Sequence, residues 1–268
     1  MKALQIAPQA LRGLLPPLVA TLAVAAGPVA AQSLDIGLNF AELDGWAAAT
    51  GNDGASSALH LTGDFRTGPA HGVQLDLGGE VIDDGFLGQV DLHVYLAPGR
   101  DRKYGFFASL ADMDDRELTI GSAGIEVLAV IGGGTIVEAR AGAGMIHGSA
   151  MRNVDFVSVS GGISHAYSDR TSVFAQATLA EFDEAAISAT GYEWLAGLRH
   201  GIGDGRIEIT AAMGATGLWG RDSAPTEPVV MAGLTWRFSG ARGQKRPVDH
   251  RAFGTWQPAR PLLALGRF

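Results

Sequence analysis

From residue 33 to residue 238 the apolar side chains recur at every second position. Leu59, Leu61 and Phe65 alternate with His60, Thr62, Asp64 and Arg66; Val73, Leu75, Leu77 and Val81 alternate with Gln74, Asp76 and Glu80; Val90, Leu92, Val94 and Leu96 alternate with Gln89, Asp91, His93 and Tyr95. A period of two places each set on one face of an extended strand, whereas a helix would repeat every ~3.6 residues. The alternation returns in Val137 to Met145, set against Glu138 and Arg140, and in Ile207 to Met213, set against Arg206 and Glu208. It predicts twelve strands, near 33–40, 56–66, 72–82, 87–98, 104–112, 117–131, 135–147, 153–168, 171–181, 187–202, 206–219 and 227–238. Gly161 and Gly162 mark an expected bulge in the eighth.

Most of these strands reach the roughly 9–11 residues that a tilted strand needs to cross a bilayer. Two features turn the apolar face outward, not inward as in a soluble sandwich or a lipocalin-like barrel. The polar face carries charges at mid-strand amid Gly, Ser, Thr and Ala. The apolar face ends in aromatics, Phe40 and Trp219 toward one rim and Phe65, Tyr104, Trp236 and Phe238 toward the other, as the girdles of a lipid-facing exterior do. Connections alternate between short turns (TGPAHG, PGRDR, GGG, SDR, GDG) and longer, more acidic stretches (AELDGWAAATGNDGA, IDDGF, DMDDRE, HGSAMRN, EFDEAA, GRDSAPTEP). The expected fold is all-β: a transmembrane antiparallel up-and-down β-barrel of about 12 strands, with its turns and both ends on the periplasmic side.

Composition narrows the chemistry. The chain has no cysteine, which excludes disulfides, thiolate metal sites and cysteine nucleophiles. Residues 1–31 have the layout of a signal peptide: Lys2 and Arg12, a short apolar run broken by Pro16 and Pro17, then PVAA, with cleavage expected after Ala31. The barrel domain is therefore expected at 32–238, in an exported protein.

The segment VVMAGLTWRF at 229–238 resembles the last strand of bacterial outer-membrane β-barrel proteins of the porin-like superfamily, in which a terminal Phe follows alternating apolar residues. The resemblance implies location in the outer membrane, contact with its lipid and lipopolysaccharide, and recognition by the barrel assembly machinery through the strand that ends at Phe238. It implies no particular activity.

The strand parity assigns Asp35, Asp64, Asp76, Glu80, Asp91, Glu126, Glu138, Glu193 and Glu208 to the lumen, with Arg66, Arg140, Arg199, Arg206 and Arg237. Such charges must be hydrated or paired, so a water-filled pore and a ladder of structural ion pairs both satisfy the pattern. The acidic excess favours cations if a pore exists. The leading expectation is a porin-like passive channel for small hydrophilic solutes with cation preference; the alternative is a non-conducting structural or adhesive barrel. The acidic loops around Asp83, Asp84, Asp112, Asp114, Asp115, Glu117, Glu181, Asp183 and Glu184 read as a solvated rim, because DMDDRE lacks the spacing and central glycine of a calcium loop. No metal site and no cofactor are expected.

One stretch, MIHGSAMRNVD, resembles the His-x-Ser pair of lipid A 3-O-deacylases, with His147 and Ser149 on the lipid-facing parity and Asp155 opening the next strand. The acidic partner that those enzymes carry some twelve residues past the serine is replaced here by Gly161, so an outer-leaflet lipid hydrolase is only a minor alternative and no catalytic residue is assigned. GIGDG at 201–205 and IGGG at 131–134 lie between strands and read as hairpin turns, not phosphate loops. Residues 33–238 hold 12 basic and 27 acidic residues, a balance of −15 that speaks against nucleic acid.

The last 30 residues differ. In 239–268, Arg242, Lys245, Arg246, Arg251, Arg260 and Arg267 face one acid, Asp249, and Pro247, Pro258 and Pro261 discourage regular structure. The expectation is a disordered basic periplasmic tail; a plug entering the acidic lumen and an anchor to peptidoglycan or a periplasmic partner are the functional alternatives.

Overall fold

The computed structural model describes residues 37–51, 54–82, 85–148, 151–184 and 187–266. The expected signal peptide and Asp35 lie outside the described residues. Twelve antiparallel strands follow in chain order: β1 (Gly37–Thr50), β2 (Gly54–Arg66), β3 (His71–Ile82), β4 (Gly85–Leu96), β5 (Arg102–Met113), β6 (Leu118–Gly132), β7 (Thr135–Gly148), β8 (Met151–Ala166), β9 (Thr171–Asp183), β10 (Ser188–Ile202), β11 (Ile207–Gly220) and β12 (Ala224–Ser239). Each pairs with its sequence neighbours, and β1 pairs with β12 from Glu42↔Arg237 to Thr50↔Val229, so the sheet closes on itself and leaves no edge strand unpaired.

The two faces separate as the alternation predicts. Phe106 (68 % exposed), Val230 (62 %), Leu59 and Leu234 point out, while Asp64, Gln74, Asp76, Asp91 and His93 are buried within. Among the described residues no helix is long and apolar enough to cross a membrane; a closed ring of strands satisfies its backbone internally and can do so.

Three expectations are corrected. The first strand extends through 41–50, which the sequence reading gave to a long loop. The Leu38/Phe40 register shift against β2 reverses the alternation, so that Leu38 faces out while Phe40 is 3 % exposed and faces in. Glu42, Asp44 and Trp46 then follow Phe40 inward, and Phe40 belongs to no outer girdle. The connections are two to five residues long at both rims, because the strands run on into stretches such as GRDSAPTEP that look like loops. Gly161 and Gly162 pair in regular register with Ala139 and Glu138; the shift in the β7–β8 pair lies between Ile146 and Gly148 instead.

The tail is the largest departure. Beyond β12 the chain turns at Gly240 (φ +88°), a left-handed backbone that suits glycine, and re-enters the barrel. Its backbone bonds the terminal-rim turns through Gln244 N–H to Asp169 O (2.7 Å) and Val248 N–H to Arg100 O (2.9 Å). It ends near the opposite rim in a short helical turn, α1 (Arg260–Ala264), whose Leu262 and Leu263 are fully buried among Ile82, Leu87, Met113, Phe156, Phe182 and Leu218. Residues 240–266 thus run the length of the lumen and do not hang beneath it.

Inward glycines make room for lumenal rings. A Cβ on Gly142 would stand 2.6 Å from Ala123 O and 2.7 Å from Phe107 Cζ, whereas one on Gly121 would meet nothing within 4 Å. Gly142→Ala should therefore cost about 1–3 kcal/mol, and Gly121→Ala should be neutral; urea unfolding in detergent micelles measures the difference.

Candidate functional site

The lumen holds four polar clusters, each made where the tail meets the wall. Nearest the terminal rim, Arg237 pairs with Glu42 (3.2 Å) and Glu208 (3.1 Å), and Arg199 lies 4.0 Å from Glu208. Tail residue Gln244 donates to Glu208 and accepts from Ser172 Oγ at 2.9 Å. Arg66 of β2 pairs with tail residue Asp249 at 3.0 Å, and Asn39 donates to the Asp249 carbonyl at 2.7 Å.

Above this lies a buried cation that sequence reasoning missed. Lys103 Nζ contacts Asp64 Oδ2 at 3.0 Å and donates to the tail carbonyl of Arg251 at 2.9 Å; it sits 4.0 Å from the Tyr95 ring centroid and 4.5 Å from that of Phe253. Asp64 also accepts from Tyr95 Oη (2.7 Å) and Asn39 (2.9 Å). Gln74 reads the tail backbone twice, accepting from Phe253 N–H (2.8 Å) and donating to its carbonyl (3.0 Å).

At mid-height His93 bridges Asp76 (Nε2, 2.9 Å) and Glu126 (Nδ1, 2.8 Å), with the Phe253 ring stacked on it at 5.6 Å and 10°. Asp76 also accepts from Thr62 and Gln74, and Asp91 from Gln89 (2.7 Å). Glu138 accepts from tail Gly254 N–H (2.7 Å), and Arg140 lies over the Phe107 ring with Cζ 3.3 Å from its centroid. Toward the far rim, tail Arg260 contacts Glu80 (2.9 Å), Glu193 and Ser56 Oγ (3.0 Å).

Most of the residues assigned to the lumen by parity therefore fall into these clusters: Asp64, Arg66, Asp76, Glu80, Asp91, Glu126, Glu138, Arg140, Glu193, Arg199, Glu208 and Arg237. Arg206 is the correction: it ends in the β10–β11 turn, half-exposed, 3.2 Å from Asp204. The parity reading missed Glu42 and Asp44, hidden by the bulge in β1, and Lys103, whose RDRK context resembles a turn. It gave His93 no specific role. His147 is exposed on the lipid-facing side, and its Nδ1 meets Asn153 Oδ1 (2.7 Å), not Asp155, which stands opposite Met145; Ser149 lies outside the described residues.

Charge explains why the tail stays. Below the far rim the wall turns inward Glu42, Asp44, Asp64, Asp76, Glu80, Asp91, Glu126, Glu138, Glu193 and Glu208, against Arg66, Lys103, Arg140, Arg199 and Arg237, a balance of −5 without the histidines. The described tail carries Arg242, Lys245, Arg246, Arg251 and Arg260 against Asp249, a balance of +4. Removing one member of a buried pair leaves the other uncompensated, at roughly 3–5 kcal/mol. Lys103→Met should lower stability by about that amount in urea unfolding of the barrel in micelles, because Asp64 is fully buried; a loss under about 1 kcal/mol, the scale of an exposed pair, would contradict the burial.

No protein-family model matches the chain, and no curated protein matches it. Solved structures do. The KdgM porin in complex with disordered oligogalacturonate superposes with a TM-score of 0.52 at 10% identity, over 74% of this chain and 99% of that one. The NanC porin superposes with a TM-score of 0.54 at 10% identity, over 73% and 98%. At this identity the likeness is one of fold. In architecture the chain is a closed twelve-stranded antiparallel β-barrel, the fold it shares with these porins.

Proposed function

We propose that this protein is a porin-like outer-membrane channel for small hydrophilic solutes, closed in the present conformation by its own residues 240–266. The observation that carries the reading is the tail's course through a polar lumen, fastened at its far end by Arg260 on Glu80 and Glu193. The polar inner wall supports passage, and the porin fold of KdgM and NanC supports it further. The KdgM structure holds oligogalacturonate, an acidic oligosaccharide. The carboxylate excess on the wall of this barrel points the other way, to cations, once the tail is out.

The apolar exterior suits lipid and lipopolysaccharide, and the strand ending at Phe238 is the natural signal for the barrel assembly machinery. Residues held in the lumen are not free to grip peptidoglycan or a periplasmic protein, so in this reading the tail's partner is the barrel itself. A second reading, a permanently closed structural barrel, is favoured by the lumenal ion pairs already formed, Lys103 with Asp64, Arg237 with Glu42 and Glu208, and Arg260 with Glu80 and Glu193.

Planar-bilayer recordings separate the two. The full chain should pass little current. A chain ending at Ser239, shown to be folded by its heat-modifiable migration, should pass several-fold more and should reverse toward the cation potential in a salt gradient. Equal, low conductance from two folded chains would overturn the channel reading in favour of the structural one.

A further inference from the structure

Arg260 occupies a site that the barrel alone constructs. Its Nε donates to Glu80 Oε1 of β3 (2.9 Å), Nη1 to Glu193 of β10 and Nη2 to Ser56 Oγ of β2 (3.0 Å), and the Trp46 ring of β1 lies 5.0 Å from Cζ. All three nitrogens of one planar group are engaged by groups on opposite walls, and an aromatic side chain stands beside it. That arrangement matches a guanidinium, with its forked donors and weakly hydrated ring-stacking plane, better than a compact ammonium. Two carboxylates from opposite walls converge on this one cation.

Next to this recess lies a cavity of about 110 Å³, lined by Trp46, His60, Gln89 and Gln176 of the wall and by Trp256 and Gln257 of the tail. One water needs about 10–15 Å³ on this measure, so the space corresponds to on the order of seven waters, room for the body of a small solute whose head fills the recess.

We infer that the lumen contains a binding site for small guanidinium-bearing solutes, and that Arg260 is its resident occupant, a built-in mimic of the solute that also closes the path. The inference rests on the channel reading for how a solute arrives. Specificity lies in Glu80, Glu193 and Ser56, which together demand N–H donors as well as charge; Trp46 adds the stacking face. In the intact chain the tethered Arg260 competes at a high effective concentration, so free solute reaches the recess only when that side chain is gone.

The test uses the full chain with Arg260→Ala, whose tail is present and whose recess is empty, and reads the unfolding temperature in detergent micelles with no reference to conduction. The variant should unfold at a lower temperature than the native chain. Millimolar methylguanidinium should restore several degrees to it and leave the native chain unmoved, and adding Glu193→Gln should abolish the gain. Tetramethylammonium, a cation without N–H donors, should not substitute. No shift, an equal shift with tetramethylammonium, or an equal shift in the native chain would overturn the site. If Arg260→Ala does not assemble unaided, refolding from urea decides the matter equally well: methylguanidinium should increase the folded yield over tetramethylammonium, and equal yields would overturn the proposal. Because the readout is stability, failure here leaves the conductance result standing, and failure of the conductance test leaves this result interpretable.

Discussion

A carboxylate turned into the interior of a narrow closed barrel has lost most of its water and must be met by a cation or a hydrogen-bond donor. This constraint governs the molecule. The twelve-strand ring sends twice as many acids as bases to its inner wall, and the strands themselves supply too few partners. The deficit is made good by a segment that leaves the last strand, turns at Gly240 and brings arginines and backbone N–H groups back up the lumen. Arg260 meets Glu80 and Glu193, Gly254 N–H meets Glu138, and Gln244 meets Glu208.

The tail contributes apolar surface as well as charge. Phe253 lies against His93 and Tyr95 and is one face of the pocket around Lys103. Leu262 and Leu263, with Ala259, complete an apolar cluster beneath the far rim whose other members are mostly inward residues of the strands, such as Met113 and Ile146. Without the tail those side chains would border water. Wall and tail are thus two parts of one core, and the same contacts that stabilise the fold fill the lumen.

Much of the wall was legible in the sequence, because a period of two fixes which side chain faces lipid and which faces inward. Gln74, Asp76 and Glu80 could be assigned to the lumen from Val73, Leu75 and Leu77 alone. The reading failed where the period breaks. The bulge in β1 reversed the parity after Leu38, so Glu42 and Asp44 were lost to an apparent loop and Phe40 was put on the wrong face. Lys103 was missed because a lysine among Arg100, Asp101 and Arg102 looks like a solvated turn, whereas β5 already begins at Arg102 and Lys103 stands opposite Leu128 of β6, on the inward parity. The tail was the hardest case: its prolines and lack of periodicity signal absence of regular structure, which is accurate, but an irregular segment can still be ordered by the cavity that surrounds it. The charge opposition between tail and barrel was the visible clue.

The central claim is that residues 240–266 traverse the lumen from one rim to the other. Because the chain has no cysteine, single cysteines test this directly on whole cells. Arg242→Cys lies beside Asp204 at the terminal rim, and Gly266→Cys lies exposed beyond α1, where a side chain meets nothing within 4 Å. A membrane-impermeant maleimide should label Gly266→Cys on intact cells and Arg242→Cys only after the outer membrane is permeabilised. Labelling of both positions only after permeabilisation would mean that the tail remains on the periplasmic side, and would contradict the account.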